Sequence, residues 1–113
     1  MDVVASGVLT RGEVWLVNLD PAVGSEIRKT RPCAIVSPDA IHNNVRTVLI
    51  VPLASSSRPA PARVAVQFAG VDGFIMLEHV RAVDRSRLIK RLGALDPGAL
   101  SRTLKTLQIL FTE

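Results

Sequence analysis

The sequence predicts a mainly β protein of the α+β type: a small barrel or curled antiparallel sheet with short helical additions and one C-terminal helix. Three observations indicate this fold class. Short apolar runs rich in β-branched residues alternate with Gly, Pro, Asn and Asp turn signals. One segment near the C-terminus has helical periodicity. A chain of 113 residues can build one hydrophobic core but not two. We therefore expect a flexible tail at 1–10 and a single domain at 11–113.

Six apolar runs are predicted as strands. The first ends at Asp20-Pro21, because proline cannot donate to the hydrogen-bond ladder of a sheet. The third is the most apolar, and its length suits a fully buried strand. The fourth alternates as a half-buried strand does. In chain order the runs are Glu13–Leu19, Cys33–Ser37, Arg46–Leu53, Arg63–Phe68, Phe74–Val83 and Leu88–Leu95.

Two segments are predicted to be helical. The first is a single turn over Asp39–Asn44, which ends in the turn residues Asn43-Asn44. The second begins at Asp96-Pro97, because aspartate caps the free amides of a helix start and proline suits the first helical position. We expect its apolar stripe to pack across the sheet; the stripe comprises Leu100, Leu104, Leu107 and Phe111.

Composition indicates a globular protein, with 48% hydrophobic and 21% charged residues. No apolar stretch approaches the roughly 18 residues that span a bilayer, and no signal peptide is recognisable. A single cysteine, Cys33, excludes an internal disulfide and makes the cytoplasm the expected compartment. One cysteine and two histidines do not suffice for a closed structural zinc site. We expect no metal, no other cofactor and no membrane partner.

The densest charged cluster lies in the predicted loop Gly24–Pro32, which contains Arg28, Lys29, Arg31 and Glu26. Together with a net charge of +4, this cluster suggests either a solvated loop or a contact for a polyanion such as RNA. Aromatic residues make up only 4% of the chain, so serial base stacking is not expected. An RNA partner would be held mainly by phosphate contacts and hydrogen bonds to base edges.

The order and spacing of six motifs resemble the MazF/PemK family, the toxins of type II toxin–antitoxin pairs. The most specific part is the Gly-Ser-Glu loop with Arg-Pro a fixed step later, and the resemblance runs from about Arg11 to the end. It implies an SH3-like barrel, a homodimer, and a metal-independent endoribonuclease that cuts single-stranded RNA, mostly mRNA, at short sequences. It also implies a MazE-like antitoxin. The motifs are Arg11-Gly12-Glu13-Val14-Trp15, Asn18-Leu19-Asp20-Pro21, Gly24-Ser25-Glu26, Arg31-Pro32, Val51-Pro52-Leu53 and Leu77-Glu78-His79-Val80-Arg81.

The resemblance also implies roles for two loop residues. Metal-free RNA cleavage uses the 2′-hydroxyl as nucleophile, so it needs a proton acceptor, a proton donor and cations on the phosphorane oxygens. Arg31 matches the catalytic Arg-Pro position, and its permanently charged guanidinium suits the phosphate oxygens. Glu26 matches the loop carboxylate and is the candidate general base. The alternative role for Glu26 is an ion pair that positions Arg28 or Arg31.

The sequence departs from the family pattern at four positions in the loop and after Pro-Leu. Ile27 replaces the usual Gln, and Arg28 and Lys29 replace small residues. The hydroxyl expected after Pro-Leu, commonly Thr, is absent at Ala54, and Ser55 follows. Ser55 can substitute only if the strand ends one residue differently, because neighbours on a strand point to opposite faces.

His79 is the candidate general acid, because imidazole titrates near neutrality; the alternative is a packed or surface histidine. Arg81 is expected to bind a phosphate or a base edge, and its alternative is an ion pair with Glu78 or Asp84. The further RNA-binding candidates are Arg28, Lys29 and, in the predicted mobile loop Ser55–Pro61, Arg58.

Other polar residues carry structural expectations. Trp15 is expected in the core or at a dimer contact, and His42 in a turn without a catalytic role. The basic run Arg85, Arg87, Lys90 and Arg91 is expected to form a solvated face.

Three functions compete at this point. The first is an active, sequence-selective endoribonuclease. The second is a catalytically inactive binding member of a toxin–antitoxin autorepressor complex, and the third is a CcdB-like gyrase poison on the same barrel. Glu26 and Arg31 favour the first, because a gyrase poison has no need of a transphosphorylation site.

Overall fold

The structure, a computed structural model, describes residues 7–21, 23–26 and 29–113, so the expectations for Ile27, Arg28 and residues 1–6 lie outside it. Two 3₁₀ turns, Leu77–His79 and Arg85–Arg87, interrupt the strand order. The regular elements are β1 Glu13–Asn18, β2 Thr30–Ile35, α1 Asp39–His42, β3 Thr47–Ala54, β4 Arg63–Phe68, β5 Val71–Met76, β6 Arg81–Asp84, β7 Leu88–Ala94 and α2 Pro97–Leu110.

The strands form one antiparallel sheet in the order β4-β5-β3-β2-β1-β7, with β6 also paired to β3. The mainly β prediction is therefore confirmed. The sheet is curled: a Cβ built on Gly93 of β7 would lie 3.2 Å from the ring of Phe68 on β4. The two strands at the ends of the order thus approach each other, as in a barrel.

The predicted strand Phe74–Val83 is wrong as a single element, because the 3₁₀ turn Leu77–His79 divides it into β5 and β6. Both pieces pair with β3, at Leu53↔Ile75 and Ile50↔Arg81. The three residue steps from Ile50 to Leu53 on β3 therefore lie opposite the six steps from Ile75 to Arg81. The turn accommodates the three extra residues. The Glu-x-x-Arg motif consequently lies on a turn and a strand start, not on one strand.

β2 begins at Thr30, so Arg31 and Pro32 lie on the strand and not in the loop as predicted. Arg31 pairs with Val17 and Pro32 with Leu16 on β1. Proline is tolerated here because the pairing of β2 with β3 begins only at the next residue, Cys33. The position of Arg31 is therefore set by a ladder and not by a loop.

The central strands are buried on both faces, because alternate residues enter two separate apolar clusters. Trp15 belongs to the first cluster, which confirms the core expectation for this residue. The second lies beneath α2, where Leu100, Leu104 and Leu107 pack against it. Phe111 was wrongly included in this stripe; it follows the helix and is 77% exposed.

Specific contacts fix the start of α2 and the segment around Leu9. At α2, Asp96 accepts a hydrogen bond from Ala99 N at 2.8 Å and Pro97 occupies the first helical position, as predicted. Near the N-terminus, Leu9 is fully buried, so the expected flexible tail does not extend to residue 10. No helix within the described ranges is long and apolar enough to span a membrane.

Candidate active site

Three predicted site residues line one cleft of about 400 Å³, which we call the charged cleft. The β1–β2 loop forms one wall, and the 3₁₀ turn with the start of β6 forms the other. Glu26 therefore faces His79 and Arg81 across the cleft, although more than 50 residues separate them in the sequence. The lining residues are Ser25, Glu26, Glu78, His79, Val80 and Arg81.

Glu26 is held by the backbone of its own turn. Its Oε1 accepts a hydrogen bond from Val23 N at 2.6 Å, and its amide donates to Val23 O at 3.2 Å. Gly24 has φ +62°, a left-handed conformation that glycine adopts at little cost. Among the described residues Glu26 has no ion pair, and Arg28, one of its two predicted partners, lies outside them.

The other wall of the charged cleft is fixed by an ion pair between Glu78 and Arg63, 2.7 Å apart. Partial burial works to raise the pKa of Glu78, but the hydrogen bond and charge of Arg63 outweigh it and lower that pKa. Glu78 thus stays ionised, and its carboxylate is paired with Arg63. His79 follows it at the end of the turn and is half-buried.

Arg81 pairs with neither of the predicted carboxylates, because Glu78 binds Arg63 and Asp84 binds Arg46 at 3.1 Å. Its Nη1 donates instead to Leu19 O at 3.3 Å. The guanidinium therefore keeps its charge uncompensated by a carboxylate while it is tied to the end of β1.

Arg31 and Ser55 line a second cleft of about 260 Å³, the apolar cleft, between β2, β3 and the β4–β5 hairpin. The register pairs Cys33 with Pro52, and two further steps bring Arg31 level with Ala54. β3 ends at Ala54, so Ser55 stands in the following turn and is exposed. The lining residues are Arg31, Pro32, Leu53, Ala54, Ser55, Val66, Phe68, Ala69, Val71, Asp72, Gly73 and Phe74.

Cys33 is fully buried and lines neither cleft. Burial raises the pKa of this thiol to about 12, and the charges of Arg31 and Arg81 partly oppose that rise. The thiol is therefore neutral at pH 7 and unreactive.

The remaining RNA-binding candidates have different positions. Lys29 is exposed and closes the base of the β1–β2 loop: its amide donates to Asp20 Oδ1 and its carbonyl accepts from Leu19 N, each at 2.9 Å. Arg58 is exposed in the β3–β4 connection and lines neither cleft. Arg28 lies outside the described residues.

Sequence reasoning missed the β4–β5 hairpin as part of the site. Asp72 and Phe74 line the apolar cleft only because β5 pairs with the last residues of β3. The pairing register, which no local motif reveals, was the missing signal. Within the ranges that the structure describes, no group of three or more His, Cys, Asp or Glu side chains is placed to hold a metal ion.

A small curled β-sheet whose clefts carry two arginines, a carboxylate and an imidazole defines a compact barrel protein suited to an anionic ligand. The chain belongs to the family of PemK-like, MazF-like toxins of type II toxin–antitoxin systems, whose model matches residues 10–111. The family resemblance seen in the motifs is thereby confirmed.

Individual relatives agree with this assignment. Endoribonuclease PemK of Escherichia coli is 34% identical over 110 residues, which cover 92% of this chain and 83% of that protein. The crystal structure of MazF from Deinococcus radiodurans superposes with a TM-score of 0.81 at 26% identity, covering 92% of this chain and 96% of that one. A mycobacterial endoribonuclease in complex with its cognate antitoxin has the same fold, with a TM-score of 0.75 at 22% identity and coverage of 89% and 92%.

Proposed function

We propose that this toxin is an endoribonuclease that cleaves single-stranded RNA, chiefly mRNA, at short sequences and without a metal ion. Family membership and the endoribonuclease relative support the activity. The observation that carries the proposal is the charged cleft, in which Glu26 and His79 line one cavity together with Arg81. These are the groups that transphosphorylation requires.

In the proposed reaction the 2′-oxygen of one nucleotide attacks the adjacent phosphorus while Glu26 accepts its proton. The bond from phosphorus to the 5′-oxygen breaks, and His79 donates a proton to that leaving oxygen. The products are a 2′,3′-cyclic phosphate and a 5′-hydroxyl. Arg31 and Arg81 stabilise the negative charge that develops on the phosphorane oxygens.

Ser55 is the proposed hydroxyl donor to the reacting phosphate. Ala54 is level with Arg31 but has no polar group, whereas Ser55 is exposed at the rim of the same cleft. A hydroxyl in the turn has rotational freedom that a strand side chain lacks, so Ser55 can reach a phosphate bound at Arg31.

Two alternative functions receive no comparable support. A binding-only toxin would not need an uncompensated arginine beside a carboxylate and an imidazole, and a gyrase poison would not need this chemistry at all. The E. coli relative is itself named an endoribonuclease. Both the relatives and the clefts therefore favour RNA cleavage as the function.

We further infer a MazE-like antitoxin as the protein partner, a homodimer as the working unit, and the cytoplasm as the compartment. A mycobacterial protein of the same fold was solved with its cognate antitoxin. An acidic antitoxin segment laid over the charged cleft would neutralise Arg81 and exclude RNA.

The test is incubation of the purified protein with a long unstructured RNA in EDTA, followed by analysis of the fragment ends. We expect discrete fragments with cyclic phosphate and 5′-hydroxyl ends. Arg31→Ala protein, purified identically, should leave the RNA intact, which excludes a contaminating nuclease. Intact RNA at high wild-type concentration, or fragments that require a divalent metal, would contradict the proposal.

A further inference from the structure

We propose that the apolar cleft and its extension toward Arg102 form a nucleobase-recognition subsite that selects guanine, with Phe74 as the stacking surface and Asp72 as the hydrogen-bond acceptor. The inference rests on the proposed RNA substrate. It adds the part of the molecule that decides which sequence is bound, and this part lies on the β4–β5 hairpin rather than in the β1–β2 loop.

A cross-strand row connects Phe74 to the reacting end of the cleft. Phe74 pairs with Ala54 on β3 and with Ala65 on β4, and Ala54 is level with Arg31 on β2. Both direct neighbours of the ring are methyl groups, so they do not cover its face. Phe74 is half-buried and lines the cleft, which makes it an accessible surface for a planar base.

Asp72 shares the face of Phe74, because residues two apart on a strand point the same way. Its partner across the hairpin is Gln67, which is exposed. Within residues 7–21, 23–26 and 29–113, no cation pairs with the Asp72 carboxylate. An exposed carboxylate beside an aromatic ring is placed to accept hydrogen bonds from the edge of a stacked base.

The cleft continues past Phe74 into a cavity of about 440 Å³ that ends at Arg102 of α2. Ser55, Asp72 and Gly73 line both cavities. A Cβ at Gly73 would lie 2.7 Å from Ala54 O, so only glycine allows β5 to approach β3 this closely. The combined groove therefore has a cation at each end and the ring and carboxylate between them.

This order of groups matches one nucleotide step of a single strand. Phosphate contacts fix the register of a nucleic acid, and contacts to the base specify its sequence. Arg31 and Arg102 would bind successive phosphates while the intervening base lies against Phe74. An apolar peptide side chain would fill the same space but would make no use of the Asp72 carboxylate.

Guanine is the base that fits a carboxylate best. Its Watson–Crick edge presents two neighbouring donors, N1–H and the N2 amino group, and a carboxylate can accept both. Adenine and cytosine offer one amino group beside an acceptor, and uracil offers one N–H between two acceptors. Asp72 should therefore discriminate against all three.

The first experiment sequences the cut sites in a randomised RNA library treated with wild-type and Asp72→Asn protein. We expect a guanine at one fixed position beside the wild-type cut. Asp72→Asn should reduce the preference for guanine over adenine there by roughly 5- to 150-fold, the size of one good bidentate base contact. Glu113→Gln, which removes an exposed carboxylate at the chain end, should change nothing.

The second experiment measures binding with 2′-O-methyl pentanucleotides, UUGUU, UUAUU and UUIUU, which cannot be cleaved. Wild-type protein should bind the guanine oligonucleotide most tightly and the inosine one at intermediate strength, because inosine lacks the N2 amino group. Phe74→Ala should weaken binding to all three by roughly 5- to 150-fold. Phe74→Trp should restore it, which a purely structural role of the ring would not predict.

The outcomes separate the subsite from the proposed function. Guanine-selective binding without any cleavage would remove the nuclease activity and keep the subsite. Cleavage with a sequence preference that is unchanged in Asp72→Asn would overturn the subsite and keep the nuclease. Unchanged binding in Phe74→Ala and Arg102→Ala would also overturn it and leave the groove as a protein-binding surface.

Discussion

The two ends of strand β3 use the same residue types for opposite purposes. Around its first residue, Thr47, the polar side chains satisfy one another, and His42 and Arg85 are buried. Around its last residue, Ala54, cations and carboxylates face open clefts. β3 has eight residues, so roughly 23 Å separates its first residue from its last at about 3.3 Å per residue. We call them the anchored end and the cleft end.

His42 typifies the anchored end. It is fully buried, and its Nε2 lies 2.8 Å from Leu9 O and its Nδ1 2.8 Å from Ser37 Oγ. Ser37 Oγ accepts from Leu49 N at 3.2 Å, so we assign its own proton to Nδ1 and the ring proton to Nε2. Every polar atom of this imidazole is thus occupied.

Arg85 completes the anchored end. It was expected on a solvated face, but it is buried: Nη1 donates to His42 O at 2.8 Å and Nη2 donates to Gly7 O. The guanidinium fork satisfies backbone carbonyls that would otherwise be buried without donors. Arg85 therefore has a structural role although it lies in a basic run, because its donors bind carbonyl groups within the protein.

The charged cleft has the same character as the cleft end, although its Arg81 pairs with Ile50 in the middle of β3. His79 is half-buried and lines the same cleft as Glu26, and Arg81 donates a hydrogen bond to a carbonyl and has no carboxylate partner in the part of the chain that the structure describes. The contrast indicates that polar groups with partners inside the protein stabilise the fold, whereas polar groups that line a cleft are placed to act on a ligand. Substitutions should therefore change stability at the anchored end and activity at the cleft end.

The largest effect is expected for Arg31→Ala at the cleft end. Losing a cation that stabilises the developing charge should lower kcat by about 10²–10³, with the melting temperature nearly unchanged. Arg46→Ala is the matched control, because Arg46 is exposed beside the anchored end and pairs with Asp84. Equal losses of RNA cleavage in both variants would show that the cleft has no special role.

His79→Gln should have the next largest effect, a loss of about 10² in rate, the low end for a positioned acid or base. The substitution keeps the side chain polar but cannot exchange a proton. If His79 is the acid, the fall in rate on the alkaline side of the pH profile should disappear in the variant. A profile of unaltered shape would remove His79 from the mechanism.

His42→Ala, at the anchored end, should lower stability and leave cleavage unchanged. It removes both hydrogen bonds of the buried ring and leaves the Ser37 hydroxyl without its acceptor, so unfolding should be easier by about 2–3 kcal/mol. Urea unfolding measures the loss, and Ile41→Ala, at an exposed position on the same helix, should stay within about 0.5 kcal/mol. Cleavage per folded molecule should be that of wild type; a selective loss of kcat would contradict the division.

The sequence predicted much of this contrast, but not where its two ends lie. Apolar runs and turn signals located six strand-forming segments, and Asp96-Pro97 correctly marked the start of α2. These features are local, since each depends on the period of a single segment. The interruption at Leu77–His79 was missed because it follows from two registers against β3, and a register is a relation between distant segments.

The same limit applies to the site. The family motifs led to Glu26, Arg31, His79 and Arg81, but they gave no sign that two clefts divide these residues between them. They assigned different roles to His79 and His42 and to Arg81 and Arg85, but they gave no sign that His42 and Arg85 are buried with their polar groups satisfied inside the protein. Burial and hydrogen-bond partners distinguish them, and both are properties of the folded chain.

A smaller effect is expected for Ala54→Thr, which returns the hydroxyl common in the family. If the register places this side chain on the face of Arg31, the new hydroxyl should bind the same phosphate. One net hydrogen bond of about 1 kcal/mol corresponds to a rise in rate of roughly 5-fold. Ala54→Val, which has the same shape without the hydroxyl, is the control. Equal rates in both variants would leave Ser55 as the hydroxyl donor.

The smallest effect concerns the hairpin that bounds the apolar cleft. Phe68 pairs with Val71, so Ala69 and Gly70 form a two-residue turn, and both have positive φ, 52° and 79°. A type I′ turn requires this geometry and favours Asn-Gly over Ala-Gly. Ala69→Asn should therefore raise the free energy of unfolding by about 0.5–1 kcal/mol, since alanine is disfavoured in the left-handed region.

This last variant tests the comparison of the two ends of β3, because it changes stability at the cleft end without altering a charged group. RNA cleavage by Ala69→Asn should match that of wild type, measured alongside urea unfolding, since the substitution is at the turn of the hairpin and leaves every existing donor, acceptor and cation of both clefts in place. A stabilised protein with a lower rate would mean that the hairpin must move during turnover, and that the cleft end is functional through its flexibility as well as its unoccupied polar groups.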